Sequence, residues 1–368
     1  MYLKSIEVKN IRNLKSTELY LSKGINIFHG QNAQGKTNLL EAIYFCGVGR
    51  SHRTSSYKDL INFNENEAYI KSIVSSQYDI VDSINVYMKR SKKEISVNGQ
   101  PIKKIIELFS TLFVIIFSPE DLDIVSAGPQ IRRKFIDINL CQINPVYYYY
   151  LAKYHNILNQ RNKLLKACKK KQSSSDTIDV WDDQLIQYGK KIVMYRAEYI
   201  NSLANIVQEF HKKITNNKEN LQIIYKPSVD LNFYEKKIKE NLDRDILMGN
   251  TSVGIHKDDL SIFISDKSKD VRYDVRSFGS QGQKRSVSLS LKLSGIEYIK
   301  EKYEPPILLL DDVLSELDES RQRFLLQEIQ SLQTILTCTG VEDVISKMSS
   351  DIDITLFKVD NGEITKER

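Results

Sequence analysis

The sequence predicts an α/β fold in which one domain is built from both ends of the chain and is interrupted by a mostly helical lobe. Three observations point to it. Strand-like apolar runs are concentrated in residues 1–125 and again in residues 246–368. Helical periodicity with few breakers fills residues 126–245. A glycine-rich turn lies near residue 30, and the acidic residues that accompany such a turn lie only near residue 311.

Length and composition exclude several classes of protein. The chain has 368 residues, more than one ordinary core holds at roughly 150 residues per domain. With 41% hydrophobic and 27% charged residues, it has the composition of a folded protein in water. Apolar runs such as Leu112–Phe117 are far shorter than the roughly 18 residues that span a bilayer. Four cysteines without a C-x-x-C pair suggest neither zinc nor disulfides, so we expect a cytoplasmic protein. The short apolar runs predict that it has no membrane partner.

The elements follow in an order that supports this fold. Ser5–Val8 alternates, Gly24–His29 is a short apolar run, and Leu112–Phe117 is typical of a buried strand, with one clear helix between them. After residue 250 short strands return, followed by a helix over Gln283–Lys302 and an apolar strand over Ile307–Leu310. The lobe between these two parts shows no sustained heptads, so we expect no long coiled coil.

A phosphate-binding loop is predicted between Gly24–His29 and the helix that follows it. Residues 30–37 fit the P-loop pattern G-x-x-x-x-G-K-[ST]. The glycines let successive N–H groups face phosphate oxygens, while Lys36 reaches the β and γ phosphates and Thr37 ligates Mg²⁺. The predicted contacts to ATP are Gly30, Gln31, Asn32, Ala33, Gln34, Gly35, Lys36 and Thr37. The alternative is a glycine-containing turn before an ordinary helix.

Two acids close a buried strand near the other end of the chain. Asp311 and Asp312 follow Ile307–Leu310, and a P-loop enzyme needs a carboxylate at such a position. Asp311 is predicted to hold the Mg²⁺ shell. Asp312 is predicted to be catalytic together with Lys36, as the general base that polarises the attacking water; a solvated turn is the alternative. Because 275 residues separate Lys36 from Asp311, something large is inserted between the motifs.

A second glycine-containing segment opens a helix 31 residues before Asp311. It resembles the signature motif of ABC-type ATPases over Ser280, Gln281, Gly282 and Gln283. In that family the signature serine and the N–H groups of the helix N-terminus bind the γ-phosphate held by the opposite subunit. The segment Ser315–Asp318 is similar to the family's D-loop, which passes between the subunits. The resemblance implies an ATP-dependent homodimer with shared sites; the alternative is that Ser280 only caps its own helix.

The whole chain is similar to the RecF family of bacterial recombination-mediator ATPases. The similar segments, in order, are Gly30–Tyr44, Gly49–Thr54, Phe117–Leu122, Gly128–Arg133, Gly279–Gln283 and Leu308–Asp318. The resemblance implies an ABC-type P-loop ATPase head and an ATP-dependent dimer that binds double-stranded DNA near gaps. With RecO and RecR, this family helps RecA to load onto single strands in DNA repair, replication restart and the SOS response. RecR is therefore an expected partner, and RecO and RecA are indirect ones.

Three rival functions share this chemistry. An ABC-type subunit with a different partner, such as a transporter, usually has a switch histidine after the last strand, where this chain has Thr337–Thr339. A chromosome-condensing ATPase needs a longer arm than this insert gives. A purely structural DNA clamp, in which hydrolysis serves only for release, differs from the main interpretation mainly in emphasis. Since the histidine is missing and Asp312 is one methylene shorter than the usual Glu, we expect a slow, DNA-stimulated ATPase in which hydrolysis switches dimerisation and release.

A cluster of cations without a single acid lies in the helical lobe. Its members are Lys153, Arg161, Lys163, Lys166, Lys169, Lys170 and Lys171. Such a helix is suited to lie along phosphates, which would give salt-sensitive affinity for any DNA sequence. The predicted DNA contacts are Lys163, Lys166, Lys169, Lys170 and Lys171. A solvated helix face is the alternative.

Two smaller features stay open. Arg50 and Arg53 follow the P-loop helix, where they either complement its C-terminal dipole or lie at the edge of the nucleotide or of a partner. His256 is followed by two acids, Asp258 and Asp259. This group belongs either to a turn before the next strand or to a metal site.

Overall fold

The computed structural model describes residues 1–109, 111–172, 177–266, 271–348 and 352–367. The chain divides into two compact units. The first consists of Met1–Asp121 and Ile296–Arg368, and the second is Leu122–Gly295. Each is described by itself below.

Elements are numbered in chain order within the described residues. The strands are β1 (Tyr2–Lys9), β2 (Thr17–Tyr20), β3 (Ile25–His29), β4 (Glu67–Ser75), β5 (Val81–Lys89), β6 (Lys93–Val97), β7 (Gln100–Pro101), β8 (Val114–Phe117), β9 (Glu219–Lys226), β10 (Asp259–Asp266), β11 (Val271–Asp274), β12 (Ile307–Asp311), β13 (Thr334–Cys338), β14 (Ile354–Asp360) and β15 (Glu363–Lys366). The α-helices are α1 (Lys36–Val48), α2 (Ile106–Phe109), α3 (Asp123–Ser126), α4 (Pro129–Ile143), α5 (Pro145–Lys169), α6 (Ile178–Ile214), α7 (Tyr234–Glu240), α8 (Leu242–Met248), α9 (Val275–Phe278), α10 (Gln281–Lys300), α11 (Glu319–Glu328) and α12 (Glu342–Ser346).

The first unit contains a largely parallel sheet in the order β15-β14-β3-β13-β12-β8. β3 pairs in parallel with β13 on one side and with β14 on the other, while β12 lies between β13 and β8. Every residue of β8, β12 and β13 is buried, as expected for parallel strands that are covered on both faces. Strands from both ends of the sequence are therefore interleaved in one sheet, and the carboxyl ends of the five parallel strands lie at the same end of it.

An antiparallel sheet in the order β2-β1-β4-β5-β6-β7 completes the first unit. Its strands alternate between buried and more exposed residues, which indicates one covered face. Helix α1 contacts β4 and β5 of this sheet and β8, β12 and β13 of the parallel sheet. Because both sheets cover it, α1 is buried on nearly all sides, and its apolar residues do not form a single stripe.

The second unit combines long helices with a small antiparallel sheet. α5 and the 37-residue α6 pack against each other, and α6 also packs on β9. The sheet has the order β11-β10-β9. Among the described residues, no helix is both long and apolar enough to cross a bilayer.

The compact units differ from the predicted segments. The sequence places the end of the helical lobe at residue 245, whereas the second unit extends to Gly295 and takes in β9–β11 and the signature-like segment. The physical reason is that β9, β10 and β11 pair with one another and pack on α6. They do not join the parallel sheet that contains β3 and β12.

Candidate active site

The glycine-rich loop follows a central strand of the parallel sheet. β3 is almost fully buried between β13 and β14, and α1 begins at Lys36, directly after the loop. Gly30 and Gly35 have positive φ angles of 153° and 118°. A Cβ on Gly30 would lie 2.3 Å from the Val359 carbonyl oxygen, and one on Gly35 would lie 2.9 Å from Leu14 Cδ2. Both positions therefore require glycine, for backbone conformation and for space.

The N-terminal end of α1 is arranged as an anion site. The residue before the helix is Gly35, and no side chain of the described residues caps the first turn. Uncapped N–H groups at a helix start, together with the positive end of the helix dipole, suit a phosphate group. The loop geometry thus fits a nucleotide phosphate at the position that the sequence predicts.

Lys36 lies inside this loop. Its ammonium group donates hydrogen bonds to the carbonyl oxygens of Gly30 and, at 3.0 Å, of Gln31. Burial lowers the pKa of Lys36, and the nearby charge of Asp312 opposes that shift. Lys36 and Asp312 are therefore close enough for their charges to interact.

The carboxylate predicted to hold Mg²⁺ lies beside the loop threonine. The Thr37 hydroxyl donates a hydrogen bond of 2.8 Å to Asp311 Oδ1, across 274 residues of sequence. The Thr337 hydroxyl lies 3.1 Å from the same oxygen. Burial raises the pKa of Asp311, and the hydrogen bond from Thr37 opposes the shift. A hydroxyl and a carboxylate are hard oxygen donors of the kind that Mg²⁺ prefers, so Thr37 and Asp311 fit this cation.

Asp312 has an uncommon backbone conformation. Its φ of 51° and ψ of 24° fall in the left-handed region, which few residues other than glycine adopt. The turn is held on both sides, because the Asp312 N–H donates to Thr337 Oγ1 at 3.0 Å and the Asp312 carbonyl accepts from Ser315 Oγ at 2.6 Å. Such a sparsely populated conformation is typical of functional sites.

Residues that the sequence analysis does not single out support the loop from outside. The Gly362 N–H donates to the Gln34 carbonyl at 3.0 Å, and the Asn361 N–H donates to Gln34 Oε1 at 2.6 Å. The Asn13 side chain donates to the Ala33 carbonyl at 3.3 Å. Asn361-Gly362 is recognisable in the sequence as a hairpin turn. Its contact with a loop more than 300 residues away has no local signal.

A buried carboxylate on α1 organises the segment after the helix. Glu41 is fully buried and forms two hydrogen bonds of 3.1 Å with Arg12, as well as one with Ser51. Arg53 lies 3.5 Å from Glu41 and donates to Asn38 Oδ1 at 3.1 Å. Because Asn38 is in the first turn of α1, the interpretation of Arg53 as a partner of the C-terminal dipole is wrong.

The signature-like segment lies in the second unit, where it begins α10. Ser280 Oγ accepts from the Gln283 N–H at 3.2 Å, and Gln283 Oε1 accepts from the Ser280 N–H at 2.8 Å. This reciprocal pair is a capping box, so the N-cap interpretation of Ser280 describes its contacts within the chain. Ser280 and Gln281 are exposed, and Gly282 is partly so. Capping does not use the hydroxyl hydrogen of Ser280, which can still be donated to a ligand.

The cationic stretch on α5 divides into exposed and buried members. Lys163, Lys166, Lys169, Lys170 and Lys171 are exposed at the C-terminal end of the helix. Arg161 is fully buried instead, and it pairs with Asp182 and, at 2.6 Å, with Asp245. Arg161 therefore has a structural role in the core of the second unit, and it cannot contact DNA.

His256 belongs to a turn in the second unit. One ring nitrogen lies 3.0 Å from the Tyr154 hydroxyl, and the other lies 3.0 Å from the Thr251 carbonyl. Burial lowers the pKa of His256 to about 4, so the ring is neutral at physiological pH. Asp258 pairs with Arg196, and Asp259 pairs with Arg132. Across the described ranges, no group of three or more His, Cys, Asp or Glu side chains could hold a metal ion.

Comparisons with known proteins connect these features. Residues 2–365 match the family model described as RecF/RecN/SMC N terminal domain. A DNA replication and repair protein RecF from Lachnospira eligens is 42% identical over 371 residues, and the match covers 100% of both chains. A protein of the same name from Clostridium botulinum (strain Eklund 17B / Type B) is 45% identical, with 99% of both chains covered.

Solved structures show the same likeness. A solved structure of the recombination mediator protein RecF-ATP in the RecFOR pathway matches with a TM-score of 0.90 and 36% identity, over 100% of this chain and 98% of that one. An Smc head domain from Pyrococcus furiosus matches with a TM-score of 0.57 and 16% identity, over 100% and 96% of the two chains, which is a likeness of fold alone. The predicted α/β head fold, interrupted by a lobe without a long coiled coil, is confirmed.

Proposed function

The chain belongs to the RecF family, and from this premise we propose that it is an ATP-dependent recombination mediator that acts on DNA. In this role it dimerises on double-stranded DNA near gaps and helps RecA to load, together with RecO and RecR. The processes served are DNA repair, replication restart and the SOS response. Work on chromosomal DNA requires a cytoplasmic location. The full-length likeness to proteins named RecF supports the proposal.

The hydrogen bond between Thr37 and Asp311, at the end of the glycine-rich loop, is the single observation that best supports the proposed chemistry. It joins the start of α1 to the end of β12, so the phosphate loop and the predicted metal ligand form one site. We assign ATP to the loop residues 30–37 and Mg²⁺ to Thr37 and Asp311. When bound, Mg²⁺ would neutralise charge on the phosphate oxygens.

Each residue of the chain then has a defined task. The backbone N–H groups of the loop and the Lys36 ammonium bind the β and γ phosphates. Asp312 orients the attacking water and accepts its proton as general base. Asp312 stands in the left-handed turn after β12, where Thr337 and Ser315 fix its backbone. The shorter side chain of Asp, compared with Glu, supports slow hydrolysis that acts as a switch for dimerisation and release.

The second half of the site comes from a second copy of the chain. Ser280–Gln283 lies exposed at the start of α10, and its serine hydroxyl hydrogen is not consumed by capping. We assign these residues to the γ-phosphate that is held by the loop of the other copy. A head-to-tail pair of chains would then complete two sites, and ATP would act as the bridge between them.

DNA is assigned to the exposed lysines at the end of α5. No ion pair involving Lys163, Lys166, Lys169, Lys170 or Lys171 occurs within the described part of the chain. Such side chains can neutralise phosphates at little cost, and they would give affinity that does not depend on sequence. The RecFOR pathway supplies RecR as the expected direct protein partner.

The proposal is tested by measuring molar mass with size-exclusion chromatography and light scattering. With ATP and Mg²⁺, the wild-type protein is expected to form a dimer. Lys36→Ala removes a phosphate contact and Ser280→Arg blocks the second half-site, so both variants should remain monomeric. Asp312→Asn is the matched control, because it should still dimerise while it no longer hydrolyses ATP. A stable dimer without nucleotide, or a monomer with it, would contradict the shared site.

A further inference from the structure

The side chain of Gln283 is held more firmly than a helix cap requires. Its oxygen accepts from the Ser280 N–H, which completes the capping box. Its amide nitrogen donates to Glu219 Oε1 and to the Tyr273 hydroxyl, both at 2.7 Å. With all three partners in place the amide has one orientation only. The first turn of the signature-like segment is thereby tied to β9 and β11.

A buried histidine stands behind Glu219. His211 is fully buried near the end of α6, and its Nε2 lies 3.0 Å from Glu219 Oε2. The two oxygens of Glu219 thus have different partners, with Oε2 facing His211 and Oε1 facing Gln283. A continuous chain of contacts runs from α6 through β9 to the exposed end of α10.

The His211 ring is held through both of its nitrogens. Nδ1 lies 3.3 Å from Ser290 Oγ, and Ser290 Oγ itself donates to the Ser286 carbonyl at 2.8 Å. Nε2 faces the Glu219 carboxylate at 3.0 Å. Because a hydrogen bond to a carboxylate is stronger than one between neutral groups, this contact fixes the Glu219 rotamer.

We propose that His211 and Glu219 are positioning residues for the signature-like segment. They fix Gln283, and Gln283 fixes the Ser280 backbone, so that the serine hydroxyl and the first N–H groups of α10 meet the γ-phosphate of a second copy in one orientation. The pair touches no nucleotide itself. This inference rests on the proposed shared ATP site, and it names the residues that prepare one half of that site before the two copies meet.

Two measurements on full-length protein test it, and they separate this inference from the shared site. The first is hydrogen–deuterium exchange of residues 279–285 in the monomer without nucleotide. The second is the dissociation constant of the dimer at saturating ATP, with the affinity of the monomer for the fluorescent analogue mant-ATP measured in parallel. The variants are His211→Ala, Glu219→Ala and Glu219→Gln. His256→Ala is the matched control, since that histidine also uses both ring nitrogens in the second unit but shares no partner with Gln283.

Glu219→Ala is expected to speed exchange in residues 279–285 and to raise the dimer dissociation constant about tenfold, the effect of losing a hydrogen bond to a charged group. His211→Ala should act in the same direction. Mant-ATP affinity should stay unchanged, because the phosphate loop is untouched. Glu219→Gln should retain most of the dimerisation, because the Gln oxygen still accepts from Gln283 and the Gln amide can still form a hydrogen bond with His211.

The results have separate meanings. Unchanged exchange in Glu219→Ala would overturn the positioning role, whatever the dimer does. Faster exchange with an unchanged dimer dissociation constant would also overturn it. If Glu219→Gln were as weak as Glu219→Ala, the pair would contribute only a buried charge and the inference would fail. A wild-type protein that does not dimerise with ATP would remove the shared site itself, and this inference with it.

Discussion

Thr337 carries a single hydroxyl that serves both acids at the end of β12. It lies 3.1 Å from Asp311 Oδ1 and accepts from the Asp312 N–H at 3.0 Å. Thr337→Val keeps the shape but leaves the Asp312 N–H without its partner, at a cost of about 1–3 kcal/mol. We expect the kcat of ATP hydrolysis to fall about tenfold while ATP affinity is retained. Thr337→Ser, which keeps the hydroxyl, should stay near wild type in steady-state assays; equal loss in both variants would contradict the role of the hydroxyl.

The role proposed for Asp311 requires a buried charge, which lowers the stability of the folded protein. Burial raises its pKa above the usual 3.8, so the folded protein binds the proton more readily than the unfolded chain. The stability contributed by the neutral form is present below pH 3.8 and is lost as pH rises through the folded-state pKa.

Asp311→Asn should therefore unfold at a higher temperature than wild type at pH 7, by about 2 to 4 °C for about 1 kcal/mol. The difference should shrink as the pH is lowered towards 4. Thermal unfolding in EDTA without nucleotide, measured from pH 4 to 8, checks this. A variant that is less stable than wild type at pH 7 would contradict the argument. ATP hydrolysis should be lost in the same variant.

The hairpin formed by β14 and β15 is a structural support of the phosphate loop. Its Gly362 has a φ of 77°, and a Cβ there would lie 2.0 Å from the Asn13 carbonyl oxygen. The added Cβ in Gly362→Ala should displace Asn13 and break the hydrogen bond from residue 362 to the Gln34 carbonyl. We expect nucleotide affinity to fall about tenfold, measured with mant-ATP.

Gly99 supplies the control for this effect. It has a similar φ of 75°, but a Cβ there would meet nothing within 4 Å. Gly99→Ala should therefore cost only the backbone strain of about 1 kcal/mol and leave nucleotide affinity unchanged. If both alanine variants bind mant-ATP equally well, the hairpin does not support the loop.

The lysine face of α5 is expected to set the salt dependence of DNA binding. Replacing Lys169, Lys170 and Lys171 by Ala should make the slope of log K against log salt less steep by about 2 to 3. The matched control replaces Lys236, Lys237 and Lys239 of α7, which carry the same charge but pair with Glu235 or Glu240. Fluorescence anisotropy with duplex DNA measures both slopes. An unchanged slope in the α5 variant would remove this helix from the binding surface.

Local patterns predict elements better than they predict how elements combine. β3, the loop after it and β12 follow from short apolar runs with glycine or acids at their ends, and the structure has them at those positions. Only a short turn with Asn216 and Asn217, and no Gly or Pro, separates β9 from the 37-residue α6, so periodicity alone extends the helical lobe over it. The burial of Arg161 is equally invisible in the sequence, because its partner Asp245 lies 84 residues away.

The proposed dimer allows a test that no single chain permits. Lys36→Ala spoils the phosphate loop and Ser280→Arg spoils the signature-like segment, so each variant alone should lack ATPase activity. In a mixed pair, the intact loop of one copy meets the intact signature of the other. Equal mixing should therefore restore activity, to at most about one half of wild type, because neither variant pairs with itself and each mixed pair has one working site. A mixture that stays inactive at concentrations where the wild type dimerises would contradict the head-to-tail arrangement.

The alternation of early and late strands in one sheet has a consequence for biosynthesis. β3 leaves the ribosome early, yet its two neighbours, β13 and β14, are among the last strands to be made. At about 5–20 residues per second, β3 waits roughly 15 to 60 seconds with both edges unpaired. The second unit is a continuous stretch of chain and can fold during this time. The proposed ATP site is thus assembled last, and until then the nascent chain carries an exposed apolar strand that is prone to aggregation.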